Sequence, residues 1–263
     1  MAKLMNEQMD EITFPDKMPL LLLQDTVIFP MMRVQLTAER SFSVAAVQRA
    51  LEQDRLIFLT AQRENTVTDP DTGGLCLVGT ICILINSVPQ DNGTDIIVQG
   101  VVKAKVTRVW HEPTYKLVSV EHIPDIKPPN VVAERALVRM VVERFAAIAV
   151  SADSIPQALV NFLQGVDDPA MVAFSIAANI RLAMPEAQSI LETVDPVQRL
   201  QMLLDILTRE AEVVSMQNQI KSTVDEELRW AVNSSGCPWV GYLTRQTSGA
   251  IGAPISAPYP DAS

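Results

Sequence analysis

Cysteine and histidine are scarce in this chain, and their scarcity excludes several chemistries at once. Cys76, Cys82 and Cys237 form no CxxC pair, and His111 and His122 have no thiol or carboxylate at a ligand spacing. A disulfide framework and a zinc site of ordinary composition are not expected, and a sparse, odd set of thiols fits a reducing, cytoplasmic compartment. No metal or cofactor is expected. Basic clusters are missing too: 21 Lys and Arg stand against 31 Asp and Glu, a net charge of -10. A surface of that sign repels a phosphate backbone, so nucleic acid is not an expected partner. No apolar run reaches the roughly 18 residues that span a bilayer. The opening MAKLMNEQMDEITF carries acidic residues where an export signal has its apolar centre, so neither membrane nor export is expected.

Signatures of catalysis are absent as well. No glycine-rich loop ends in Gly-Lys-Ser/Thr, the phosphate cradle of many ATP-driven machines. Lys221 and Ser222 are neighbours on an expected helix, where adjacent side chains point apart, so they make no nucleophile and base pair. Asp167-Asp168 would suit acid–base work, but Asp168 precedes Pro169 and reads as a helix cap. Gly73-Gly74 closes the turn-rich residues 63–74, and no helix follows to hold a phosphate. No catalytic residue is assigned, and the chain is not expected to be an enzyme.

What remains is a large core and a clear order of elements. Apolar residues make up 48% of the chain, ample for folding. The organising stretch is PLLLLQDTVIFPMMRVQL, residues 19–36: a β-rich apolar run, a stop at Pro30, and a second strand in which Val34 and Leu36 alternate with Arg33 and Gln35. Strands are expected near 19–28, 33–37, 56–60, 75–88, 96–101, 103–110 and 115–123. Gly79 is expected to bend the fourth of these, or to let another backbone approach, and Asn92-Gly93 to close a hairpin. Cys76 and Cys82, of equal parity, are expected to share a buried face. The one helix in this half spans about 39–54, with Ser41 a candidate cap. Residues 1–15 read as a loose leader and 16–124 as a small, mostly antiparallel β barrel.

Three prolines within residues 124–129 mark a boundary, with 125–130 read as a stiff linker. Beyond it the period becomes helical. Val131, Ala136, Leu137, Met140, Val141, Phe145 and Ile148 form the stripe of one helix. Asp168-Pro169 and Asp195-Pro196 open two others, and 156–164 and 185–193 complete the short set. A long helix over 196–232 thins in apolar content toward its end and is expected to project or pair. Residues 233–263, rich in Gly, Ser and Pro, read as a disordered tail. The fold class is α+β: a barrel, then a helical bundle with a long last helix.

The apolar strand, the Asp, the β-branched run and Phe29-Pro30 resemble the start of the Lon protease N-terminal domain. The resemblance continues through Ser41 to Leu51, Leu56 to Gln62, Val78-Gly79-Thr80 and Ile96 to Trp110, where a strand passes through Gly100 and returns. It persists more weakly to about residue 220 and departs at about 222, as in a fragment, a natural short protein or a frame-disrupted product. It implies a PUA-like barrel joined to helices. It also implies recognition of unfolded or damaged polypeptides for an ATP-driven hexameric protease, with assembly aided by the long helix. Pro30, Met31 and Met32 are the candidate substrate-binding residues. Unbranched methionines either fill an irregular barrel mouth or form an adaptable apolar patch, and both readings stay open here. Trp110 and Tyr115 are secondary candidates. A stand-alone adaptor binding one partner protein or small ligand is the rival reading, and RNA binding, known for PUA-like barrels, is disfavoured by charge.

Overall fold

A computed structural model describes residues 2–4, 12–63, 72–126, 131–151, 155–213 and 216. Residues 1–15, expected as a loose leader, contain strands β1 (Ala2–Leu4) and β2 (Ile12–Phe14), which pair antiparallel, and Phe14 is buried. Six further strands follow: β3 (Met18–Leu23), β4 (Arg33–Ala38), β5 (Leu56–Ala61), β6 (Val78–Gln90), β7 (Gly93–His111) and β8 (Lys116–His122). Helix α1 (Ser41–Glu52) lies between β4 and β5.

Strand β7 closes the sheet. It is 19 residues long and pairs with β6 along most of its length, with β4 over residues 94–99 and with β8 over 104–111. Strand β8 also pairs with β3, β3 runs parallel to β5, and β5 pairs with β6. The ring β7, β6, β5, β3, β8 is therefore complete, and β4 is added beside the first half of β7. Alternate residues of β3 enter two clusters, as the pleat requires. Leu21 packs with Val47 and Ala50 of α1, and Leu20 and Leu22 with Phe58, Ile81 and Val118.

Several expectations shift in register. Strand β3 ends at Leu23, yet Val27, Ile28 and Phe29 are still buried, outside the ladder. The expected pair 96–101 and 103–110 is one continuous strand through Gly100. Strand β6 is irregular between Ile81 and Cys82 and between Leu84 and Asn86 rather than at Gly79. Gly79 instead permits close approach, since a Cβ there would sit 2.3 Å from the Leu59 carbonyl oxygen. At the hairpin, Gln90 pairs with Gly93, so Asp91-Asn92 form the turn, and positive φ falls on Gly93. Ser41 begins α1 instead of capping it; Arg40 is the cap residue and makes no side-chain cap bond.

The helices are α2 (Val131–Ser151), α3 (Gln157–Leu163), α4 (Pro169–Ala177), α5 (Met184–Glu192) and α6, helical over residues 196–213. Both Asp-Pro starts behave as their chemistry demands. Asp168 accepts from the Ala170 amide and Asp195 from the Val197 amide, each at 2.9 Å. The α2 stripe is rotated from expectation: Val138, Val141, Val142 and Phe145 are buried, while Ala136 and Met140 are exposed. The rest of the expected helix 196–232, apart from Met216, and the tail 233–263 lie outside the described residues.

Barrel and helices are not separate bodies joined by a spacer. Val27, Phe29, Ala61 and Cys76 belong to the same apolar cluster as Phe145, Val172, Ile176 and Leu203, and Met1–Ala211 is one compact unit, with Glu212–Ser263 a second. The start of the expected linker is stitched down, because the Ile126 amide donates to the Val194 carbonyl at 3.1 Å.

Candidate functional site

The corner at Pro30-Met31-Met32 is built by its neighbours on β7. Gly100 exchanges two backbone bonds with it: Met31 N–H donates to the Gly100 carbonyl and Gly100 N–H to the Met32 carbonyl, both at 2.9 Å. A Cβ on Gly100 would lie 2.2 Å from the Phe29 carbonyl oxygen, so only glycine lets the corner sit this close. Met31 is held at φ 67°, a left-handed conformation that a non-glycine residue adopts only when its surroundings impose it. The buried Thr80 hydroxyl donates to the Ile28 carbonyl and pins the approach from the other side.

This geometry separates the three predicted residues. Pro30 is buried, Met32 is half-buried and packs against two core clusters, and Met31 is 48% exposed. Of the methionine pair, Met32 thus packs inward and Met31 reaches solvent. Pro30 and Met31 line a cleft of about 400 Å³ together with Asp168, the cap of α4, and Ala170, Met171 and Phe174 of that helix. Phe174 stacks on Phe29, with ring centroids 6.0 Å apart, a contact of about 0.5–1.5 kcal/mol beyond area burial. The N-terminal turn of α4 is set by the Asp168 cap and Pro169, which fixes where Met171 stands.

Lys103, His122 and Asp125 also line the cleft, and the first and last of them belong to an ionic cluster that local sequence did not reveal. Lys103 of β7 donates to Asp125 Oδ1 at 2.5 Å and to the Thr193 carbonyl at 3.1 Å. Arg199 of α6, with no exposed surface, grips both Asp125 oxygens at 2.7 and 3.1 Å, donates to the Thr193 and Ile190 carbonyls, and lies 4.2 Å from the Phe174 ring centroid. Burial pushes the Asp125 carboxyl up, but the bonds from Arg199 and Lys103 and their charges outweigh it and hold the group below its ordinary value. Burial lowers Lys103, an effect the Asp125 bond opposes. His122, beside them, is lowered by burial and by the Lys103 charge. The cluster ties barrel strand, connecting segment and helix at one point.

The remaining candidates separate. His122 pairs with Ala104, seven positions from His111 on β7, which places the histidines roughly 20 Å apart along the strand. Among the described residues no three His, Cys, Asp or Glu gather to hold a metal. Cys76 and Cys82 are both buried, with thiols raised by burial, but they enter different clusters because Cys76 precedes β6. Trp110 is half-buried under the Lys17 ammonium, 4.4 Å from its ring centroid, and Tyr115 is half-buried too. No helix of the described residues is long and apolar enough to cross a membrane.

The sequence model of the ATP-dependent protease La (LON) substrate-binding domain matches residues 17–209, the span that holds the barrel, the cleft and α2 to α5. The chain belongs to the Lon substrate-binding domain family. It is 34% identical over 225 residues to the Lon protease of Geobacter metallireducens, covering 84% of this chain and 27% of that one. With the Lon protease of Desulfovibrio desulfuricans it shares 36% identity over 216 residues, covering 81% and 24%. The chain thus spans about a quarter of the length of these curated relatives. The N-terminal domain of a Mycobacterium avium complex Lon protease has the same fold, with a TM-score of 0.61 at 20% identity, over 73% of this chain and 98% of that one.

Proposed function

We propose that this Lon-family chain captures unfolded or damaged polypeptides for an ATP-dependent protease, and that the cleft between Met31 and α4 takes their exposed apolar side chains. The observation that carries this reading is Met31: a methionine held in solvent by a left-handed corner, sharing a cleft with Met171. Displaying an apolar side chain in this way opposes the hydrophobic effect, and an exposed apolar site on a soluble surface favours binding. Methionines adapt to varied shapes, which suits a receptor for many sequences. On this reading ATP hydrolysis and peptide cleavage belong to parts of the relatives outside the matched region.

The test compares binding of one model protein in its denatured and native forms. The denatured form should bind more tightly, and Met31→Asp or Met171→Asp should weaken it about tenfold without lowering the thermal midpoint. Met32 is unsuited to the same test, because a carboxylate there would enter the core. Equal affinity for native and denatured forms would remove the proposal.

A further inference from the structure

Strand β4 (Arg33–Ala38) is the open edge of the six-stranded sheet. The other strands of that sheet each have two partners or more, whereas β4 pairs with β7 alone among the described residues. The bond from Gly100 N–H to the Met32 carbonyl sets the phase of the β4–β7 ladder. Val34 and Leu36 therefore exchange their bonds with Val98 and Ile96, and the N–H and C=O groups of Arg33, Gln35 and Thr37 point away from β7. All three residues are exposed. Sheet edges are usually blunted by Pro, Lys or a bulge. Residues 33–38 contain none of these: their register with β7 is unbroken, and Arg33, at one end, is their one charge.

The side chains agree with the backbone. Val34 and Leu36 are half-buried, packed inward against the cluster of Leu21, Val47 and Ile96. A strand laid beside β4 would set alternate side chains over these two and so extend the cluster, because residues opposite each other share a face. Donors and acceptors in alternation at strand spacing are what an extended polypeptide supplies, so the ladder itself defines the class of occupant. We propose that the outer edge of β4 takes an extended segment of an unfolded polypeptide as an added antiparallel strand. Its apolar side chains lie opposite Val34 and Leu36, and its polar ones opposite Arg33, Gln35 and Thr37, with a carboxylate favoured at Arg33. This inference rests on the capture reading and deepens it. Main-chain bonds hold a segment whatever its sequence, as a receptor for varied clients requires. An antiparallel segment has its C-terminal end at Arg33, two positions along the chain from Met31 of the cleft.

The probe is a fluorescein-labelled peptide of about eight residues alternating Val with Thr, titrated with the whole chain and followed by anisotropy. With Val over Val34 and Leu36, the Thr amides face β4 and the Val amides face away. N-methylation of the Thr amides should weaken binding about tenfold or more, and N-methylation of the Val amides less than about threefold. On the protein, Gln35→Pro removes an outward N–H and no bond to β7, a phase at which edge strands accept proline. Its thermal midpoint should hold, while the peptide and a denatured model protein bind about tenfold more weakly. Peptide affinity indifferent to which amides are methylated would overturn the proposal, whether or not Gln35→Pro folds. So would denatured protein that binds Gln35→Pro undiminished but is lost by Met31→Asp, which leaves the cleft reading standing; the reverse result supports the edge and removes the cleft. A chain that ignores the peptide and dissociates into smaller species in Gln35→Pro would make the occupant a second β4, and overturn it too.

Discussion

Asp125 joins what the rest of the chain keeps apart. Its carboxylate balances Lys103 and Arg199, whose side chains are 4% and 0% exposed. Removing one member of a buried ionic cluster leaves the others charged and unpaired, typically at 3–5 kcal/mol. Asp125→Ala should therefore destabilise the chain by about 3 kcal/mol or more, read from denaturant unfolding, whereas an exposed carboxylate such as Glu52 should change it by less than about 0.5 kcal/mol. Gly100 is the other decisive position. Gly100→Ala places a methyl against the Phe29 carbonyl, and overpacking of this kind costs about 1–3 kcal/mol. The accompanying loss of affinity for denatured protein would tie the corner's geometry to the proposed capture.

At the scale of elements, the helix starts divide into those made by side chains and those made by packing. Asp168 and Asp195 accept amide bonds at the first turns of α4 and α6, so Asp168→Ala and Asp195→Ala should each lower stability by about 1 kcal/mol. Ser41 makes no cap bond, and Ser41→Ala should be neutral within about 0.5 kcal/mol. Thermal melts of the three variants distinguish these cases. Asp168→Ala should also weaken capture more than Asp195→Ala does, since the cap of α4 lines the cleft and positions Met171.

For the molecule as a whole, acid should loosen the joint between barrel and helices in two stages. His122 lies below its ordinary 6.5 because of burial and the Lys103 charge, so below pH 6.5 the unfolded chain takes up a proton before the folded one and stability falls with pH. Asp125 lies below its ordinary 3.8 despite burial, through its bonds to Arg199 and Lys103. Its contribution is complete above pH 3.8 and is lost as pH drops through the lower folded value. Thermal midpoints measured across pH should show both declines. His122→Gln should flatten the first, and Asp125→Asn the second.

Local pattern alone determined the types of the elements beyond residue 15, the closing β architecture and the Asp-Pro helix starts, because strand alternation, helical spacing and cap chemistry act within a few residues. Tertiary structure decided which methionine of the pair faces water, that Cys76 and Cys82 part company, and that the two histidines stand far apart. It also decided the buried cluster. Lys103 in Val-Val-Lys-Ala-Lys-Val reads as an outward lysine like Lys105, and it is outward from the barrel; what buries it is the Thr193 and Arg199 region about ninety residues later. Burial and pairing between such distant segments depend on how finished elements pack, and no short-range periodicity carries that information.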